Sequence, residues 1–93
     1  MRVRFIKIPA GRVDPTRVTL RVFDAEDGTI LGRVSTLAYG ESGIELMSTE
    51  GADPPIETAL ALAVQVASYK EQDIDVVDEQ GLWRSDWGQL VLA

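Results

Sequence analysis

Between Asp53 and Gln72 the chain carries its one clear helical pattern, and almost no side of that helix is polar. Glu57, Thr58, Gln65, Ser68 and Gln72 fall on a narrow stripe, while Ile56, Ala59, Leu60, Leu62, Ala63, Val64, Val66 and Ala67 occupy most of the circumference. A helix this apolar requires burial on more than one side. Its start is marked by Asp53-Pro54-Pro55, because Asp53 is placed to cap free amides and prolines in the first turn give up no helical hydrogen bond. With no second helical pattern to pack against, the covering layer has to be a sheet.

The flanking segments supply strands. Arg2 to Ile8 begins by alternating, with Val3 and Phe5 on one face, and Pro9, Ala10 and Gly11 end it. Arg17 to Val22 alternates without a slip and points Val18, Leu20 and Val22 toward a core. Asp14-Pro15 marks a turn before it, and Asp24 to Gly28 a hairpin after it, with Gly28 free to adopt the positive φ of a tight connection. A third strand runs from Thr29 to about Leu37 with Ile30, Gly32 and Val34 inward. A glycine-rich turn, Ala38 to Gly43, then leads to a short strand from Ile44 to Met47, and Ser48 to Asp53 reads as loop. Beyond the helix, Ile74 to Val77 is strand-like and Asp78-Glu79-Gln80-Gly81 is a turn. Leu82-Trp83-Arg84 starts a return strand, and Leu90-Val91-Leu92 lies in the tail. The order implies one α+β domain over residues 1–93, a mostly antiparallel sheet of about five strands with one long helix packed on one face.

Ninety-three residues suffice for one hydrophobic core. The chain has no cysteine and no histidine. That removes disulfide frameworks, thiolate chemistry, imidazole metal ligands and the Ser-His-Asp triad. Carboxylates such as Asp75 with Asp78, Tyr39 or Tyr69, and Lys70 remain, without a recognisable catalytic arrangement, so neither an enzyme nor a cofactor is expected. Asp73-Ile74-Asp75-Val76-Val77-Asp78 fails as a calcium loop: Val77 stands where an oxygen donor is needed, Asp78 where glycine is needed and Arg84 where the closing glutamate belongs. Alternation places Asp73 and Asp75 on the solvent side of a strand, and no metal site is expected. Met1 to Ala10 lacks the apolar run of a secretory signal, and the longest apolar run, Ala59 to Val64, is far short of the roughly 20 residues that cross a bilayer. The expectation is a cytoplasmic protein with no membrane partner.

The formal charge of -6 is unevenly spread. Residues 1–33 hold seven Lys or Arg against four Asp or Glu, a balance of +3, and residues 34–93 hold two against eleven, or -9. On the strand reading Arg2, Arg4, Arg17, Arg21 and Arg33 share the face away from the helix. Arg17, Arg21 and Arg33 are candidates for binding an anion, since the guanidinium fork pairs two oxygens at once. The alternative is a solvated face whose arginines pair across strands with acids such as Glu45. Glu71, Asp73 and Asp78 head an acidic surface suited to a basic partner. Direct nucleic-acid binding is not expected from a chain of this net charge.

Trp83 and Trp87, with Arg84 between them, are either an anchor for a partner or part of the core over the helix. The apolar tail either adds a strand to the domain's own sheet or joins apolar surface that a second copy buries, in a homodimer. The leading functional expectation is a non-catalytic protein-binding module, its partner-binding residues Trp83, Arg84, Trp87, Glu71, Asp73 and Asp78. The alternative is an acidic inhibitor that occupies the nucleic-acid-binding site of a basic protein, as antagonists from viruses or mobile elements do.

Overall fold

In the computed structural model the described residues are 2–41 and 43–92, with Tyr39 described in its backbone only. Ser42 of the glycine-rich turn, Ala93 of the tail and the Tyr39 side chain lie outside them. The elements in order are β1 (Phe5–Lys7), β2 (Val18–Asp24), β3 (Ile30–Gly40), β4 (Gly43–Ser48), α1 (Ile56–Lys70), β5 (Ile74–Val77) and β6 (Leu90–Leu92). They form one helix on a six-stranded sheet of order β4-β3-β2-β5-β1-β6.

The sheet is mixed rather than mostly antiparallel. β2, β3 and β4 form an antiparallel meander, whereas β5 enters between β2 and β1, parallel to both, and β6 lies parallel to β1. Two connections that look like hairpin turns in the sequence are therefore crossovers. The 8–17 segment carries the chain from β1 past β5 to β2, with a 3₁₀ turn at Ala10–Arg12. The 78–89 segment carries it from β5 past β1 to β6, with a 3₁₀ turn at Ser85–Trp87. Leu82 to Arg84 is accordingly not a return strand. The tail does add a strand, β6, on the outer edge of β1.

One layer of apolar side chains fills the space under α1. Val18, Leu20 and Val22 of β2, Val34 of β3 and Ile74 and Val76 of β5 are buried there, with register bringing Val18 beside Ile74 and Leu20 beside Val76. Each such side chain contributes roughly 1.5–3 kcal/mol relative to exposure. From the helix come Ile56, Ala59, Ala63 and Ala67. The three alanines recur every fourth residue, and a stripe of methyl groups lets the helix axis approach the strands closely. Gly32 completes this fit, because a Cβ there would overlap the Ala59 methyl and press on Leu20 and Ile56. Thr36 is also buried on this side, so the inward set of β3 is Gly32, Val34 and Thr36, with Ile30 only half-buried at its start.

Both helix ends differ from the sequence reading. Pro55 occupies the N-cap position and no side chain caps the amides. Asp53 turns instead to Arg33 and Thr49. At the other end the helix stops at Lys70, where Glu71 takes a left-handed conformation (φ 55°) and its N–H reaches back to the last turn. The Lys70 ammonium donates to the Thr16 carbonyl, the Thr36 hydroxyl and the Leu37 carbonyl at 2.7–3.0 Å, tying the helix end to β3 and to the turn before β2.

Gly32→Ala is expected to destabilise the fold by about 1–3 kcal/mol, the usual cost of forcing extra volume into a packed interface. Urea denaturation measures it, and an unchanged midpoint would show that α1 does not depend on this close approach.

Candidate functional site

The surface opposite α1 displays the arginines, and Arg4, Arg17, Arg21 and Arg33 are already engaged, whereas Arg2 has no ion-pair partner among the described residues. Arg17 makes a two-pronged contact with Asp75, Nε to Oδ2 at 2.8 Å and a terminal nitrogen to Oδ1 at 3.0 Å. Arg33 does the same with Asp53, its closest contact 2.8 Å, while Arg4 donates from Nε and a terminal nitrogen to the one oxygen Oδ2 of Asp73, at 3.3 and 2.9 Å. Arg21 reaches Glu79 at 3.3 Å. Register places Arg21 directly beside Arg33, as alternation implies, but the partner acids come from β5 and the loops, and Glu45 is not among them. Asp75, expected on the solvent side, is buried beneath Arg17. A guanidinium held by a carboxylate has its fork occupied, which leaves little of it for an outside anion.

The acidic residues divide in the same way. Asp73 takes the Arg4 guanidinium and the Arg4 N–H at 3.0 Å. Asp78 is buried, and its two oxygens accept the N–H groups of Leu82 and Trp83, both at 2.8 Å. It shapes the start of the β5–β6 crossover. Only Glu71 of the three stands free on the surface.

That crossover carries both tryptophans inward. The Trp83 ring lies 5.0 Å from Phe5 and 5.4 Å from Trp87, and its indole N–H donates to the Gly88 carbonyl at 3.0 Å. Both rings are half-buried and pack against the core. Arg84 projects from the same segment and pairs loosely with Asp86, both well exposed. A hollow of about 580 Å³ lies elsewhere, bounded by Lys7, Arg12, Asp78, Glu79 and Leu92. It is an open groove, and the Asp78 carboxylate on its wall is already used. Among the described residues no three carboxylates converge as a metal site.

The sheet has two edges among the described residues: β6, three residues long with Leu92 exposed, and β4, six residues long. Every residue of Gly43–Ser48 is exposed, and the strand forms one edge of the sheet. Ile44 is 64% and Leu46 63% exposed on the face away from α1, beside the half-buried Leu37 of β3, and Met47 is 39% exposed on the other face. The hydrogen bond from Thr49 N–H to the Val34 carbonyl sets the alternation of the ladder. Gly43, Glu45 and Met47 therefore bond to β3, while Ile44, Leu46 and Ser48 turn their N–H and C=O groups outward. Natural edge strands are ordinarily guarded by lysine, proline or a bulge. Here the only guard is Glu45. A run of four alternating residues looked like an ordinary short strand in the sequence, and nothing in it says that the helix passes it by.

No family model, no curated protein and no solved structure matches this chain.

The paired carboxylates make the fold sensitive to acid. Arg33 holds Asp53 below the usual carboxylate range, aided by the Thr49 hydroxyl and opposed by burial. Arg4 does the same for Asp73, and hydrogen bonds from Thr16 and Thr29 lower Asp14 and Asp27. A pKa depressed by folding adds stability that is complete above the unfolded value, roughly 3.9, and is lost as pH falls through the folded one. Stability is expected to be flat from neutral to about pH 5 and to fall below about pH 4. Asp53→Asn should flatten that acid limb in a pH series of urea melts, and parallel curves for the two proteins would remove Asp53 from the account. Asp78→Ala should cost about 2–3 kcal/mol at neutral pH by leaving two N–H groups unpaired, read by the same melts.

Proposed function

We propose that this chain is a non-catalytic protein-binding module that presents the β4 edge to its partner. The observation that carries the reading is the exposure of a whole six-residue edge strand, with apolar side chains on both faces and outward N–H and C=O groups at Ile44 and Leu46, where the opposite edge, β6, is only three residues long. An edge of this kind binds by adding a strand, main-chain bonds supplying affinity and alternate side chains supplying selectivity. The anchor thus moves from the tryptophans to β4, because Trp83 and Trp87 are half-buried and packed against Phe5, each other and the core, whereas β4 is exposed throughout. The acidic-inhibitor reading draws less support from the geometry, since Asp73 and Asp78 spend their oxygens within the domain.

A photo-crosslinking residue in place of Leu46 is expected to yield a defined adduct in native extract. The same residue in place of Tyr69, which is 90% exposed on the helix, should yield none. Trp83→Ala should lower stability by about 2–4 kcal/mol and leave the adduct intact wherever the variant remains folded. Equal labelling from both positions, or none from Leu46, would refute the β4 assignment.

A further inference from the structure

Taking the β4 edge as the docking site, we infer that its occupant is an extended segment of another protein in which apolar residues alternate with lysine or arginine, added to the sheet beside β4. The pattern follows from the two faces of the strand. A residue of the incoming strand that bonds to Ile44 or Leu46 directs its side chain to the face away from α1, where those two side chains and Leu37 form an apolar row. The residue between them sits opposite Glu45, at a non-hydrogen-bonded position where Cα atoms approach to about 4.5 Å.

Glu45 calls for a cation there. It has no ion-pair partner among the described residues, and its carboxylate folds back over Gly40, where the missing side chain leaves room. The chain around it carries one sign of charge, and the nearby Lys70 ammonium spends its donors on the Thr16 and Leu37 carbonyls and the Thr36 hydroxyl. No lysine or arginine occurs between Arg33 and Lys70, while Glu41, Glu45, Glu50, Asp53 and Glu57 all do. Of these, Asp53 is held by Arg33 at 2.8 Å and Glu50 lies 3.9 Å from the same guanidinium, which leaves Glu41, Glu45 and Glu57 uncompensated. An opposite charge directly across a strand pair attracts and a like charge repels, so one side chain at that position decides much of the selectivity.

A second copy fits less well. Antiparallel pairing of β4 with itself must keep both helices on one side of the joined sheet. One register then sets Glu45 against Glu45 of the copy. The neighbouring register sets Leu46 against Leu46 and Glu45 against Met47, which avoids the direct clash but still joins two segments that carry only negative charge.

The test uses the full chain and short capped peptides: Thr-Val-Lys-Val-Lys-Val-Thr, its Lys-to-Glu counterpart, and two forms of the lysine peptide N-methylated on one edge or the other. Fluorescence anisotropy should show the lysine peptide binding at least about tenfold more tightly than the glutamate peptide, with the gap narrowing in high salt. Glu45→Lys should invert the preference. Methylation on the edge that meets β4 should abolish binding, and methylation on the opposite edge should not. No loss from either methylated form would mean attraction by charge alone, and equal loss from both would mean that no particular edge of the peptide meets β4; either would overturn strand addition, and with it the reading of β4 as a docking edge. Edge-selective loss with no preference between lysine and glutamate would overturn the cationic partner while leaving that reading in place. Sedimentation of the chain alone as a dimer, with Leu46→Cys forming a disulfide between copies, would assign the edge to a second copy and overturn the inference.

Discussion

One helix has to serve a six-stranded sheet, and the rest of the molecule is arranged around that shortage. A 15-residue helix is about 22 Å long and about 10 Å wide. Strands spaced about 4.8 Å apart give six of them a breadth well beyond that width. The helix settles where the alanine stripe and Gly32 allow the closest approach, over β2, β3 and β5. Everything to either side needs another cover or goes without.

On the β1–β6 side the cover is the crossover after β5. Asp78 pins its start by accepting two backbone N–H groups, and the Trp83 and Trp87 rings close over Phe5 and Leu90 as a substitute for a second helix. On the opposite face no helix packs, and a line of arginine–carboxylate pairs lies over Thr19, Asp75 and Val77, which are buried there. The same pairs cancel much of the charge separation along the chain, since arginines from its first third bind acids mostly from its last. On the β4 side nothing arrives. The strand is held by its ladder to β3 and is left with apolar side chains on both faces, which is why the functional reading rests there.

Much of the fold was legible because it depends on local pattern. The faultless alternation of Arg17 to Val22, the glycine turn at Gly28 (φ 87°) and the apolar helix each declare themselves within a few residues. Strand order is another matter. That β5 separates β1 from β2 depends on pairing energies between residues nearly seventy positions apart, such as Phe5 with Ile74, and no local signal separates a hairpin turn from a crossover. Asp53 shows the same limit on a smaller scale: next to two prolines it has the composition of a helix cap, but Arg33 across the fold offers a charged double hydrogen bond that a cap cannot match.

The candidate site divides along the same line. Ile44, Glu45 and Leu46 could be read as a strand from three letters, and the absence of cations from Val34 to Tyr69 is plain in the sequence. The main strands and the helix, the inward face of β2 and the lack of cysteine and histidine chemistry were determined by the sequence alone, because periodicity and side-chain chemistry are local properties. Which tryptophans are spent in the core, which acids are neutralised and which strand is left uncovered were decided only in the tertiary structure. Those outcomes depend on where a single helix can come to rest, and that is set by contacts among residues distant in the chain.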